Sequence, residues 1–322
     1  METISQLEIF PDELFLELFS YLSPIDLYQC WRHFNSRFLA IVRSVRIAFE
    51  LIEDLNLNQE ILNYFSSQIV YLHLRIPCQT IDFHQVPYLR SLILDTKLTP
   101  TQRNSIQSNI LPKLERLTLD ENSKDQNKFY EQIFNEIYSK KWIKTLHLPY
   151  LPNYFLNSNQ FAFIQTMIFN RMTVFDVHLI LSIQKFLKRL KVTIVSLSSA
   201  EKEYRLSQIN TKYRNETLID FHTIMNTYNQ IDEICDLLSH LSQLKYLHID
   251  CDGLKYQDFQ RLANELNKHM PNLKVFNCRF RQTYVENIND IHCLSPLFYR
   301  MKQKKIEWVG GWHYYCITTR DI

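Results

Sequence analysis

The sequence predicts an α/β protein in two parts: a short all-helical module over residues 1–50, then an irregular stack of parallel strands over residues 51–322 that closes on a C-terminal hairpin. Three observations carry this expectation. Residues 10–45 hold three short runs of helical period, each opened by a cap signal. Beyond residue 60 an apolar phrase of fixed spacing returns seven times, with helix-period sequence between several copies. Hydrophobic content of 46% against 22% charged residues is globular composition, enough to fill a large core.

The first helix opens at FPDELFLELFSYLSPIDL, residues 10–27. Pro11 suits a first turn because its φ is already helical and its missing N–H has no intrahelical partner to lose there. Asp12 and Glu13 place negative charge at the positive end of the helix dipole. Leu14, Leu18 and Leu22 recur every four residues with Phe15 and Phe19 beside them, making one broad apolar stripe that must be buried. Ser23-Pro24 ends this helix and starts the next, with Asp26 at the capping-box position. Leu27, Cys30, Trp31 and Phe34 share a face of the second helix. Asn35-Ser36 caps a third, which carries Phe38, Leu39, Val42 and Val45. Three such helices in about forty residues bury too little surface to be stable alone, so a partner is expected.

The order of these residues resembles the start of an F-box over roughly residues 8–46. The family's Leu-Pro opening corresponds to Phe10-Pro11, its Glu-(Ile/Leu) step to Glu13-Leu14, its (Ile/Leu)-Phe-x-x-Leu run to Leu18-Phe19 through Leu22, and its later aromatic to Phe38. Phe10 stands where the family has Leu, which changes the shape of that anchor. The resemblance implies docking onto a Skp-family adaptor and hence a cullin scaffold of a ubiquitin ligase. It implies contact through Phe10, Pro11, Leu14, Leu18, Phe19, Leu22 and Leu27, with Phe38 beside them. Read from the residues alone, the same stretch also fits ordinary core helices.

The repeated phrase is Leu-x-x-Leu-x-Leu or close to it. Its copies are Ile69/Leu72/Leu74, Leu89/Leu92/Leu94, Leu114/Leu117/Leu119, Ile143/Leu146/Leu148, Leu187/Leu190/Val192, Leu244/Leu247/Ile249 and a weakened Leu273/Phe276/Cys278. First positions are separated by 20, 25, 29, 44, 57 and 29 residues. The alternation at the end of each phrase is that of a strand. Phe169/Met172/Val174 and Leu218/Phe221 are degenerate copies that divide the two longest steps. Helical period marks Phe129/Ile133/Phe134/Ile137, Ile231/Ile234/Cys235/Leu238 and Phe259/Leu262/Ala263/Leu266. Helix and strand alternating at this period resemble a leucine-rich repeat, which implies a solenoid lined by a parallel sheet. The family's Asn or Cys three positions after the last Leu is met by Asn122 and approximated by Asp252 with Leu254, whereas Lys97 and Leu151 depart from it. The curvature is therefore expected to be uneven, above all between residues 149 and 230.

In the tail, Ile306, Trp308 and Val309 lead into Gly310-Gly311, then Trp312, Tyr314, Cys316 and Thr318 follow. This pattern predicts a hairpin that caps the stack. Trp308, Trp312, Tyr314 and Tyr315 are an aromatic cluster, either packed in that cap or exposed as an anchor.

Chemistry is conspicuous by what the sequence lacks. Its three glycines, Gly253, Gly310 and Gly311, stand against about twenty at average usage. No glycine-rich phosphate loop can be built from them, which excludes Walker-type NTPases, kinases and Rossmann enzymes. There is no G-x-S-x-G elbow, and no catalytic residue is assigned. His222, His240, His248 and His292 share the C-terminal half with Cys235, Cys251 and Cys293, but none has metal-ligand spacing, so no metal and no cofactor is expected. The seven cysteines are scattered and odd in number, which predicts reduced, buried thiols. Asn215-Glu216-Thr217 is a glycosylation sequon read as coincidence. Net charge is +2, and the basic runs at 185–191 and 300–305 are short enough for solvated helix or loop faces, so nucleic acid and membrane partners are not expected. No apolar run reaches membrane-span length and no leader pattern opens the chain, which predicts a cytoplasmic or nuclear protein.

The expected function is substrate recognition for a Skp–cullin–F-box-type ubiquitin ligase, with the repeats holding a protein target whose contact residues the sequence leaves unknown. The alternative is a repeat scaffold for protein or RNA with no ubiquitin link.

Overall fold

The computed structural model describes residues 9–51, 55–75, 81–96, 98–119, 135, 143–151, 163–195, 213–225, 231–281, 287–307 and 313–319. Two compact units emerge, residues 1–144 and 145–322. Each is α/β, with a sheet whose parallel strands follow chain order.

The first unit begins with three helices: α1 (Asp12–Tyr21), α2 (Pro24–Trp31) and α3 (Ser36–Ser44). Their boundaries follow the caps. Ser23 Oγ accepts the Asp26 N–H at 3.1 Å and Pro24 takes the first helical position. Asn35 Oδ1 accepts the Phe38 N–H at 3.1 Å. Pro11 itself stands just outside α1, with extended ψ of 152°.

Strands β1 (Ile47–Leu51), β2 (Ile69–Leu74), β3 (Ser91–Leu94) and β4 (Arg116–Leu119) pair in parallel in that order. Helix α4 (Leu55–Phe65) joins β1 to β2, and α5 (Pro100–Asn104) opens on a capping box between Thr99 and Gln102. Strand β1 was not foreseen, and it extends the parallel stack toward the N-terminal helices. These helices dock on it: α2 packs against α4 and β1, with the Tyr28 hydroxyl donating to Glu60 at 2.9 Å. Gln68, buried just before β2, donates to the carbonyls of Val42 (2.6 Å) and Val45 (3.0 Å) and so satisfies the end of α3.

In the second unit β5 (Thr145–Tyr150), β6 (Thr166–Met172), β7 (Arg189–Ile194), β8 (Asp220–Met225), β9 (Tyr246–Asp252) and β10 (Val275–Arg281) are parallel and adjacent in sequence order. Helices α6 (Val174–Ile183), α7 (Ile231–Ser239), α8 (Tyr256–His269) and α9 (Ile288–His292) pack one on the next. The foreseen apolar residues of α7 (Ile231, Ile234, Cys235, Leu238) and α8 (Phe259, Leu262, Ala263, Leu266) are all buried. Gly253, at φ 68°, makes the left-handed turn after β9 and donates its N–H to Arg281 O at 2.8 Å.

The repeated phrases are the cores of both units. Every apolar position of the six strong copies is buried, while Leu273 of the weakened seventh is half-buried. This α/β build with parallel sheets is compatible with a leucine-rich-repeat-like solenoid. One degenerate copy is corrected in register: the phrase of β6 is Ile164/Met167/Phe169, not Phe169/Met172/Val174. Val174 instead opens α6 behind the Thr173 cap. The copy at Leu218 and Phe221 is completed by Thr223, fully buried where the other copies carry an apolar residue.

The tail is the expected hairpin. Strand β12 (His313–Thr318) runs antiparallel to β10, and β11 (Lys302–Glu307) runs antiparallel outside it as the edge strand. The turn at Gly310-Gly311 lies outside the described residues, as do Trp308, Trp312, the helix expected around Phe129–Ile137, Asn122 and Lys97.

Two smaller expectations change. Of the six described cysteines, Cys235, Cys251, Cys278 and Cys316 are buried, but Cys30 and Cys293 are exposed; all six are free thiols. The basic runs are not helix or loop faces throughout: Arg189 and Lys191 lie on β7, and Lys302, Lys304 and Lys305 on β11.

Candidate interaction surfaces

Helix α1 carries two adjacent apolar stripes, and the structure buries one of them. Phe15 and Phe19 turn inward and meet Phe38 and Trp31, with ring centroids 4.7 Å (Phe15–Phe38) and 4.6 Å (Phe19–Trp31) apart. Leu27, Phe38, Ile41 and Val42 complete that core. Bulky aromatic rings fill a small three-helix interior better than leucines do, because interiors demand close packing. The leucine stripe is left outside: Leu14 is 50% exposed, Leu18 48% and Tyr21 79%, with Phe10 at 49% and Leu22 half-buried.

Of the residues expected to contact an adaptor, then, Phe10, Pro11, Leu14 and Leu18 face solvent and Leu22 does so in part. Phe19, Leu27 and Phe38 lie inside the chain's own core and support that face from beneath. Ile25, which was not singled out, is also an exposed large apolar residue of this module, and so is Phe34, which was expected on the apolar face of the second helix but lies beyond its end at Trp31. Arg37 fixes the start of the stripe: its guanidinium donates to Asp12 Oδ1 at 2.8 Å and to the Phe10 carbonyl at 2.6 Å.

A second surface belongs to the sheet of the second unit. Because its strands are parallel and in register, their outward side chains line up in two rows. One runs Thr145, Thr166, Arg189, Asp220, Tyr246, Val275, and the other His147, Ile168, Lys191, His222, His248, Asn277. Both rows border a shallow recess of about 390 Å³. Arg189 Nε lies 3.6 Å from Asp220 Oδ2, and the His222 and His248 rings are 4.0 Å apart. Partial burial raises the Asp220 carboxyl above its ordinary range, opposed by Arg189. The outward residues were legible in principle. They are the x positions flanking the second Leu of each phrase.

The histidine and cysteine candidates are not brought to one place. His222 and His248 stand on the exposed sheet face, while His292 Nε2 bonds the Met301 carbonyl at 2.9 Å. Cys235 and Cys251 are buried, and burial pushes the Cys235 thiol up to about 12. Among the described residues the ligand-type groups that converge are instead His178, Asp236 and His240, whose candidate donor atoms all lie within 4.8 Å of one another. His178 on α6 is 2% exposed, and burial holds its imidazole well below the ordinary range against the pull of Asp236. The one available sequence signal was Asp236-x-x-x-His240, an i,i+4 pair at a helix end.

Asn215 is also settled as a structural residue. It is buried, and its amide donates to the carbonyls of Leu181 (2.9 Å) and Gln184 (3.0 Å) at the end of α6. No described helix is long and apolar enough to cross a membrane.

No protein-family model and no curated protein matches this chain. Among solved structures it is similar to the crystal structure of the TLR13–ssRNA13 complex, at 12% sequence identity and a TM-score of 0.38. That alignment covers 76% of this chain and 40% of the other, so this chain spans less than half of its neighbour's length.

Proposed function

We propose that this chain is a non-catalytic substrate-recognition subunit of a Skp–cullin–F-box-type ubiquitin ligase. The observation that supports it most is the leucine stripe of α1, which stays in water although the helix has a complete aromatic core on its other side. A row of large apolar side chains left exposed on an ordered helix is the mark of a surface awaiting a partner. The F-box-like order of the same residues names a Skp-family adaptor as that partner. In this reading Phe10, Pro11, Leu14, Leu18 and Leu22 touch the adaptor, and Phe19, Leu27 and Phe38 hold the helix in place.

The in-register face of β6–β10 then holds a protein target, through the exposed Arg189, Lys191 and Tyr246 and the half-buried Asp220. The gain in rate is proximity: a bound target meets the ubiquitin-charged enzyme as an intramolecular partner. The test is co-purification with a recombinant Skp-family adaptor. The parent chain is expected to bind, and L14D/L18D is expected to lose binding while its far-UV circular dichroism is unchanged. Undiminished binding by L14D/L18D, or none by the parent chain, overturns the adaptor reading and leaves a repeat scaffold with no ubiquitin link.

A further inference from the structure

We propose that His178, Asp236 and His240 form a divalent-cation site, suited to Zn²⁺, that ties α6 and α7 together on the helical side of the second unit.

The argument begins with how the two imidazoles are held. His240 Nδ1 lies 2.9 Å from the backbone carbonyl of Tyr213. A carbonyl only accepts, so Nδ1 carries the proton and the neutral ring offers Nε2 as a lone pair. His178 Nδ1 lies 2.8 Å from the Tyr213 hydroxyl. Tyr213 therefore holds both rings by Nδ1, so that His178 turns its Nε2 to Asp236, with which it pairs in the absence of an ion, and His240 keeps its Nε2 as the remaining donor. Fixing one ring nitrogen on a carbonyl or hydroxyl so that the other is presented is the usual outer-shell arrangement of metal-ligating histidines. The stacked Tyr213 and His240 rings, with centroids 4.6 Å apart, restrict the second ring further.

Spacing agrees. His178 Nε2 and Asp236 Oδ2 are 3.2 Å apart. A charge-assisted N–H···O⁻ hydrogen bond runs about 2.7–2.9 Å. Two ligands each about 2.0–2.1 Å from a tetrahedral zinc are roughly 3.3 Å apart. The observed separation is that of a hydrogen bond and also nearly that of a tetrahedral edge, so an ion can replace the bond with little movement of either side chain. Asp236 is exposed while His178 is buried, so an ion can enter from the Asp236 side. Two imidazoles and one carboxylate suit Zn²⁺, with a water completing four-coordination.

The experiment uses the full chain, kept reduced, stripped with a chelator and titrated with Co²⁺ as the spectroscopic stand-in for Zn²⁺. One equivalent is expected to give the visible bands of tetrahedral N/O ligation, without the near-ultraviolet band of thiolate-to-cobalt charge transfer. Zn²⁺ is expected to displace it and, at about a hundredfold excess over Kd, to raise Tm by roughly 5 °C or more. Asp236→Asn, at an exposed position, and His240→Gln, at a half-buried one, are expected to abolish the bands, and Tyr213→Phe to weaken binding about 10–100-fold. No stoichiometric binding, a thiolate band from the cysteines, or bands that survive Asp236→Asn and His240→Gln each overturn the proposal. If either substitution disturbs the far-UV spectrum, the cobalt spectrum of the parent chain decides alone.

Discussion

Truncating the two exposed leucines of α1 should separate binding from stability. Leu14 and Leu18 are 50% and 48% exposed, while Phe19, one position on from Leu18, is fully buried. Burying a whole leucine side chain contributes about 1.5–3 kcal/mol, so sealing the remaining half of each against a partner gives about 1 kcal/mol apiece. L14A/L18A should therefore weaken adaptor binding by about 2 kcal/mol, roughly 30-fold in Kd. In the free chain the same pair should cost no more than about 2 kcal/mol in denaturant-induced unfolding, from the halves already buried, since the rest is wet and alanine is a good helix former. Phe19→Ala is the counterpart, expected to cost about 3–5 kcal/mol of stability through the cavity left against Trp31. The readouts are isothermal titration against purified adaptor and urea unfolding of the free proteins. The reasoning fails if L14A/L18A destabilises the free chain as much as Phe19→Ala does, or if its Kd equals that of the parent.

Three further outcomes follow from named contacts. Thr223 is fully buried at a phrase position that holds an apolar residue elsewhere, and its Oγ1 has no partner among the described residues, so Thr223→Val should raise stability by about 1 kcal/mol in urea unfolding. Gln68→Met keeps the bulk but removes the amide from the Val42 and Val45 carbonyls; chemical unfolding should show a loss of about 2 kcal/mol. R189E/K191E reverses two exposed charges on β7 and should leave the unfolding midpoint within about 0.5 kcal/mol, while targets retained by a chain carrying L14D/L18D no longer co-purify.

The repeated phrase was readable because a parallel sheet buried on one side imposes the same spacing on every strand: Leu92 and Leu117 in the first unit, and Met167 and Leu190 in the second, are equivalent by register, not by local preference. Caps at Ser23 and Asn35 were readable because a short polar side chain before an apolar run has one local use. What escaped was set by competition between neighbours. Ile47, Phe49 and Leu51 alternate as a strand, but they follow directly on the apolar run of α3 and merge into it. Met172 is buried like a phrase residue because the β6–β7 register shifts after Phe169, which drew the copy out of frame. On α1 the pattern could not say which apolar stripe turns inward; ring volume decided it. His178 and Asp236 lie far apart in the chain, and only the packing of α6 on α7 brings them together.

The hairpin also decides where the sheet of the second unit stops. A parallel strand at its end would offer an open row of amides and carbonyls on which a stray chain could zip up. Instead β12 reverses direction against β10, and the outermost position falls to β11, whose sequence KQKKIE brings three ammonium groups to the rim. Any strand approaching in the plane must settle beside those charges without water to shield them. The sheet of the second unit thus carries, at this margin, its own deterrent to fibre growth.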